Sequence, residues 1–97
     1  MNLSPAEIQS LFARLAAWIP RVGKETRGRP LGYIGEPVWA YEDEVVSIEK
    51  SRRSPMMEIE IRANGNPAVM IDNEGRCIRM HGETRTILAH LAKLVEG

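Results

Sequence analysis

The chain has 97 residues, of which 43% are hydrophobic, and its 13 Lys and Arg side chains are balanced by 13 Asp and Glu side chains. This hydrophobic content is enough for one modest core, so we expect a single domain over residues 1–97. The neutral balance excludes an overall field that attracts nucleic acid or an anionic membrane. No apolar run approaches the roughly 20 residues that span a bilayer, and Met1 to Gly23 lacks the pattern of a signal peptide, so we expect a cytoplasmic protein.

Cysteine and histidine give little support for a catalytic or metal site. The single cysteine, Cys77, has no second cysteine for an internal disulfide. His81 and His90 are nine residues apart, a spacing that does not place two imidazoles on one helical face. A small hydrolase or transferase built on Cys77 and His81 stays a third alternative, against a purely structural role for both. We therefore predict no catalytic residues, no metal ligands and no cofactor.

The clearest local signal is at the start of the chain. Ser4-Pro5-Ala6-Glu7 forms a capping box with proline at the first helical position. The apolar residues that follow recur at helical spacing and predict an amphipathic helix: Ile8, Leu11, Phe12, Leu15, Trp18 and Ile19. Because Pro20 lacks a backbone N–H, we expect the helix to stop or kink near Trp18 or Ile19, with Gly23 ending any last turn.

The middle of the chain is predicted to form strands. Arg21 to Gly35 is broken by glycine and proline and is predicted to be a basic loop. Val38 to Lys50 favours one long bulged strand or a tight hairpin. Met56 to Ala63 alternates, which predicts a strand with its apolar side chains in the core and Glu58, Glu60 and Arg62 facing water. Turn sequences then separate two more short strands, Ala68 to Asp72 and Arg76 to Met80.

A second amphipathic helix is predicted from Gly82 to Glu96. The predicted fold is α+β: an antiparallel meander of three to five strands, with an N-terminal and a C-terminal helix packed on one face. Six apolar residues are then expected to share one core: Leu11, Leu15, Ile59, Ile61, Leu88 and Leu91.

This order of elements is similar to that of double-stranded RNA-binding domains. Those domains resemble one another most in a lysine-rich cluster at the start of the second helix. The matching stretch here, His81-Gly82-Glu83-Thr84-Arg85-Thr86, has one cation and one anion, so the resemblance does not extend to RNA binding. In size and style the chain also resembles phage-encoded inhibitors of bacterial machinery, including anti-CRISPR proteins. That resemblance implies an inhibitor that binds another protein, and it assigns no residues.

Charge is segregated along the chain. Residues 1–35 carry five basic and two acidic side chains, residues 36–60 carry three and seven, and the remainder carries five and four. Such segregation favours a steered contact with another protein. We therefore predict a non-enzymatic module that covers a basic surface on a partner protein through Glu42, Asp43, Glu44, Glu49, Glu58 and Glu60. An equally weighted alternative is that these carboxylates only keep a sheet edge soluble.

The alternative site is the basic and aromatic stretch from Arg21 to Tyr41. It combines cations and rings in the way that single-stranded nucleic acid or a nucleotide requires: Arg21, Lys24, Arg27, Arg29, Tyr33, Trp39 and Tyr41. The competing explanation is that Trp39 and one tyrosine cover the core. A second copy of this chain stays open as a partner, and no membrane partner is expected.

Overall fold

The structure is a computed structural model that describes residues 3–28, 35–53, 58–71, 77–80 and 84–96, without the side chains of Ile78 and Arg85. The strands form one antiparallel meander in chain order. The predicted α+β class and the helix at each end are confirmed, and the sheet formed by the described residues has six strands instead of three to five. The elements are α1 (Pro5–Val22), β1 (Lys24–Gly28), β2 (Glu36–Glu42), β3 (Val46–Ser51), β4 (Ile59–Ala63), β5 (Asn66–Ile71), β6 (Cys77–Met80) and α2 (Thr84–Glu96).

Helix α1 begins at the predicted capping box. Ser4 Oγ accepts a hydrogen bond from the Glu7 N–H at 3.2 Å, and Glu7 Oε1 accepts one from the Ser4 N–H at 3.0 Å. The helix continues through Pro20 to Val22, so it does not stop near Trp18 or Ile19, and it ends at Gly23 as expected. The Gly23 N–H still donates to the Ile19 carbonyl at 2.7 Å. Proline removes one backbone donor from the helix, and the chain stays helical for two residues beyond it.

The stretch predicted to be a basic loop contains strand β1. Lys24 lies opposite Ala40 of β2, and Gly28 lies opposite Glu36. The side chains of Lys24 to Arg27 are all exposed, so the strand has no apolar alternation from which it could be recognised. Of the two alternatives for residues 38–50, the structure has the hairpin, β2 followed by β3. Among the described residues, no helix is both long and apolar enough to cross a bilayer.

One face of the sheet, here called the helix face, carries the core. Tyr41, Ile48, Ile61 and Val69 lie opposite one another in four successive strands and form one row across this face. They pack in a single cluster with apolar side chains of both helices, so α1 and α2 lie on this face. The cluster contains all six predicted core residues: Leu11, Leu15, Ile59, Ile61, Leu88 and Leu91.

The opposite face, here called the polar face, is defined by Glu36, Glu49, Ser51, Glu58, Glu60 and Arg62. The prediction that Glu58 and Glu60 face water is wrong, because they are only 6% and 3% exposed. The reason is the curl of the sheet. A Cβ built on Gly28 would lie 2.7 Å from Glu49 Cδ, whereas a flat sheet would separate these residues by two strands and by about 13 Å along the strand. The end of β1 therefore folds over the polar face.

Candidate functional site at the turn between β2 and β3

The side chain of Asp43 shapes the turn between β2 and β3. Asp43 Oδ1 accepts hydrogen bonds from the Val45 N–H at 2.7 Å and from the Val46 N–H at 2.9 Å. The Asp43 N–H in turn donates to the Val46 carbonyl at 2.9 Å. An aspartate that accepts from amides two and three residues ahead forms an Asx-type turn. Asp43 therefore has a structural role in its own loop.

The second carboxylate oxygen of Asp43 joins the turn to the last helix. Asp43 Oδ2 accepts from Tyr41 Oη at 2.7 Å and lies 2.6 Å from Nε2 of His90 on α2. Because an ionised carboxylate only accepts hydrogen bonds, we assign a proton to His90 Nε2. The Tyr41 ring packs edge-on against Trp18 of α1, with 5.1 Å between ring centroids. Both helices thus converge on the β2–β3 turn.

These hydrogen bonds shift the pKa values of the two acids in opposite directions. Desolvation by itself raises the pKa of Asp43, but the bonds from the Val46 N–H, Tyr41, His90 and the Val45 N–H outweigh it and hold that pKa well below its usual range. The hydrogen bond to Asp43, followed by desolvation, raises the pKa of Tyr41 to about 12. Neither group therefore has a pKa suited to general acid–base catalysis near neutral pH.

A shallow groove of about 300 Å³ lies beside this turn. One wall is formed by residues 42–47, and the other is formed by Arg62, Asn64 and Gly65 at the turn between β4 and β5. Asn64 and Gly65 have φ angles of 54° and 78°, which is typical of the Asn-Gly pair in a tight hairpin turn.

The wall formed by residues 42–47 exposes two acidic side chains and one apolar side chain. Glu42, Glu44 and Val45 line the groove and are exposed, and Val45 is 40% exposed. We call these three residues the acidic rim. Of the six acids predicted for the site, Glu42 and Glu44 are therefore the two that are exposed at this turn.

The remaining three predicted acids lie on the polar face. Glu49 and Glu60 are directly opposite each other in β3 and β4, a placement that is destabilising for like charges unless it is compensated. Arg62 provides compensation, since its Nε donates to Glu60 Oε1 at 2.6 Å and its Nη2 forms an ion pair with the same oxygen. Glu49 is half-buried and Glu58 is buried. Glu58 and Glu60 are therefore buried, Glu49 is half-buried beside them, and none of the three belongs to the acidic rim.

Glu36, which the sequence did not single out, belongs to the same polar face. Its Oε1 accepts from Ser51 Oγ at 3.0 Å and lies 2.8 Å from Arg53 Nε. Glu36 is only 6% exposed, and Ser51 is fully buried. Because a buried carboxylate is stable only with such partners, this pair of contacts explains how the charge of Glu36 is accommodated at the end of the sheet.

The residues of the alternative basic and aromatic site are divided by the fold. Arg21, Lys24 and Arg27 are exposed, whereas Arg29 and Tyr33 lie outside the described residues. The rings of Trp39 and Tyr41 are partly buried and pack against the core. Trp39 also has Lys50 Nζ 5.4 Å from its ring centroid. The exposed cations of this stretch are therefore not accompanied by Trp39 and Tyr41 as open stacking surfaces.

Sequence reasoning missed the part that α2 and β4 play at this site. His90 stands at the border of the apolar stripe of α2, a position from which a polar side chain can reach a neighbouring turn. Its partner cannot be identified from the sequence, because Asp43 is 47 positions away. Arg62 was assigned to a solvent face; its side chain is half-exposed, and it also pairs with Glu60 and forms part of a wall of the groove.

Comparisons with protein-family models, with curated proteins and with solved structures find no match for this chain. The resemblances to double-stranded RNA-binding domains and to phage-encoded inhibitors therefore gain no support from relatives. Within the described ranges, no three His, Cys, Asp or Glu side chains are grouped so that they could hold a metal ion. Cys77 is exposed on β6, and His81 lies outside the described residues. The acidic rim and its groove are thus the basis for the functional argument.

Proposed function

We propose that this chain is a non-enzymatic binding module that docks a basic segment of a partner protein against the acidic rim. The observation that carries the proposal is the fixed turn. Asp43 uses both carboxylate oxygens to hold the backbone from which Glu42 and Glu44 project. A charged surface that is already ordered attracts an oppositely charged partner and loses little conformational entropy on binding.

The groove supports a partner segment of particular chemistry. Glu42 and Glu44 supply two negative charges, and Val45 supplies an exposed apolar contact beside them. Protein interfaces combine an apolar centre with a polar border. A segment with Lys or Arg on either side of one apolar side chain is complementary to this arrangement. The narrower prediction of a phage-encoded inhibitor has no supporting observation and is not part of the proposal.

Photocrosslinking in the native host tests the proposal by identifying the partner. A photoreactive phenylalanine derivative at Glu44 is expected to crosslink to a peptide rich in Lys or Arg, which mass spectrometry identifies. The matched control carries the same derivative at Ala89, which is exposed on α2. Recovery of one peptide from position 44 and not from position 89 supports docking at the acidic rim.

Charge reversal then measures the contribution of the rim to binding. Glu42→Lys with Glu44→Lys keeps Asp43 and is expected to slow association with the identified partner, most strongly at low salt. The control is Glu96→Lys, an exposed acid in the last turn of α2. Unchanged association kinetics in the double-lysine variant would contradict the proposal and leave the rim carboxylates a role in solubility alone.

A parallel binding measurement tests the nucleic-acid alternative. Labelled single-stranded DNA or RNA is offered to the unmodified protein at low ionic strength, where contacts with phosphate are strongest. Binding that is lost in Arg27→Ala with Arg29→Ala would replace the proposed function with the alternative. Absence of binding removes that alternative.

A further inference from the structure

β1 is an edge strand of the sheet that the described residues form. The strand order places it at one end of the sheet, where it pairs with β2. Lys24, Glu25, Thr26 and Arg27 are all exposed, and no other described strand lies beyond them. Alternate residues of such an edge direct their backbone N–H and C=O groups outward, where they can pair with another strand.

We propose that β1 pairs antiparallel with β1 of a second copy of this chain, about a two-fold axis through Thr26. Glu25 of each copy then lies opposite Arg27 of the other copy, and Lys24 lies opposite Gly28. Residues directly opposite each other in antiparallel strands share a face, and opposite charges in these positions stabilise the pairing. The five residues of β1 are therefore self-complementary in charge.

The other two-fold registers of β1 lack this complementarity. An axis through Glu25 or Arg27 places that charge against its own copy. An axis between Glu25 and Thr26 places Lys24 against Arg27, which is a like-charge pair and is destabilising. An axis between Thr26 and Arg27 leaves Lys24 without an opposite residue. The axis through Thr26 pairs all five residues and creates two attractive contacts.

Both charged side chains are accessible for this contact. The side chain of Glu25 is 70% exposed, although its Oε2 lies 3.3 Å from Arg52 Nη1. Arg27 Nη1 donates to the Gly35 carbonyl at 2.9 Å. A carboxylate has about four acceptor positions and a guanidinium has five N–H groups, so these internal contacts leave capacity for a bond to a second copy. None of these residues belongs to the acidic rim, so pairing through β1 is independent of the proposed function.

Sedimentation over a concentration series tests the pairing. We expect the unmodified protein to form a reversible dimer. Glu25→Arg and Arg27→Glu each turn both attractive pairs into repulsive ones, and each is expected to raise the dimer dissociation constant about tenfold or more. The matched control is Lys24→Glu, which changes charge at a position opposite glycine and is expected to change the constant by less than about twofold.

A mixture of the two single variants gives the more specific test. The Glu25→Arg chain offers two cations and the Arg27→Glu chain offers two anions, so the mixed dimer has two attractive pairs. Native mass spectrometry is expected to show the mixed dimer in excess of both self-dimers. The swapped double variant, with Glu25→Arg and Arg27→Glu together, is expected to restore the self-dimer. This variant also decides the question if a single variant loses its folded circular dichroism spectrum.

Three results would overturn the inference. The unmodified protein could sediment as a monomer at every concentration. It could form a dimer whose dissociation constant is the same in the charge variants, which would place the interface elsewhere. It could also form open polymers, as expected if β1 of one copy pairs with β6 of the next.

Discussion

His90 on α2 and Asp43 at the turn between β2 and β3 are joined by a contact of 2.6 Å between Nε2 and Oδ2. The same oxygen accepts a hydrogen bond from the hydroxyl of Tyr41, whose ring packs against Trp18 of α1. One carboxylate oxygen therefore connects the turn that presents the acidic rim to the last helix, and through Tyr41 to the first. The stability of the fold and the shape of the candidate site depend on the same residue.

Asp43→Asn is expected to lower the free energy of unfolding by about 1–3 kcal/mol, the range for a lost hydrogen bond to a charged group and an unsatisfied partner. The asparagine carbonyl can still accept from the Val45 and Val46 amides, but its NH₂ cannot accept from Tyr41 and His90. Urea unfolding measures the change. Glu44→Gln makes the same chemical change at an exposed neighbour and is the control. Equal unfolding midpoints for the two variants would contradict the structural role of Asp43.

The low pKa of Asp43 predicts a dependence of stability on pH. Its folded pKa lies below the ordinary value of 3.8, so its contribution is fully present above the unfolded pKa and is lost as the pH falls toward the folded pKa. Between about pH 5 and about pH 2 the unmodified protein should therefore lose more stability than Asp43→Asn. Unfolding measured at a series of pH values should show the two curves converging in acid. A constant difference would assign the effect of the substitution to something other than the charge.

The hydroxyl of Tyr41 is expected to titrate late. The chain has two tyrosines, so Tyr33→Phe leaves Tyr41 as the single phenol whose ionisation ultraviolet absorbance can follow. We expect a midpoint near the folded pKa of about 12. Adding Asp43→Asn removes the hydrogen-bonded carboxylate and should lower the midpoint toward about 10, the ordinary value. The same midpoint in both variants would show that Asp43 does not control this proton.

The helices and strands that have one apolar, buried side could be predicted from the sequence. A strand without a buried side could not. The capping box and the apolar spacing of α1 and α2 indicate both helices, and the alternation that ends at Ala63 indicates β4. Strand β1 has exposed residues at all positions from Lys24 to Arg27, so no hydrophobic pattern distinguishes it from a loop. Its existence depends on pairing with β2, which is a property of the folded sheet.

The candidate site was predictable where it depends on local chain geometry. Glu42 and Glu44 flank a turn, and acids in a turn are exposed in most sheets. The prediction that Glu58 and Glu60 face water was wrong because alternation shows only that these residues do not lie on the helix face. Whether the opposite face meets water depends on the curl that brings Gly28 over Glu49, and this curl has no sequence signal that we recognise.

Gly23→Ala is expected to destabilise the protein by about 1–3 kcal/mol, the typical cost of overpacking. A Cβ at this position would lie 2.8 Å from the Ile19 carbonyl oxygen and 2.9 Å from Trp39 Cβ. The φ and ψ angles of Gly23, −75° and 152°, suit any residue, so the constraint is space and not backbone conformation. Thermal unfolding measures the effect, with Val22→Ala at the exposed preceding residue as the control. A variant as stable as this control would show that α1 and β2 can separate without cost.

On the polar face, the buried carboxylate of Glu60 is paired with the half-buried side chain of Arg62. Glu60 is 3% exposed and accepts from Arg62 Nε at 2.6 Å. Arg62→Met removes the cation, leaves the carboxylate buried, and is expected to lower the free energy of unfolding by about 1–3 kcal/mol. Replacing both residues by methionine removes the buried charge as well. Since the loss of one partner costs more than the loss of both, we expect the double variant to be more stable than Arg62→Met.

A double-mutant cycle measured by urea unfolding gives the coupling between Glu60 and Arg62 directly. The control is a second double-mutant cycle, between Arg62 and Glu42. Glu42 is an exposed acid that lines the same groove as Arg62, and this cycle is expected to give a coupling near zero. A coupling near zero for Glu60 as well would mean that the polar face tolerates its carboxylate without Arg62. In that case the position of Arg62 would be explained by the groove alone, and its replacement should weaken partner binding without affecting folding. A strong coupling assigns Arg62 to the fold, and the acidic rim then acts through Glu42, Glu44 and Val45.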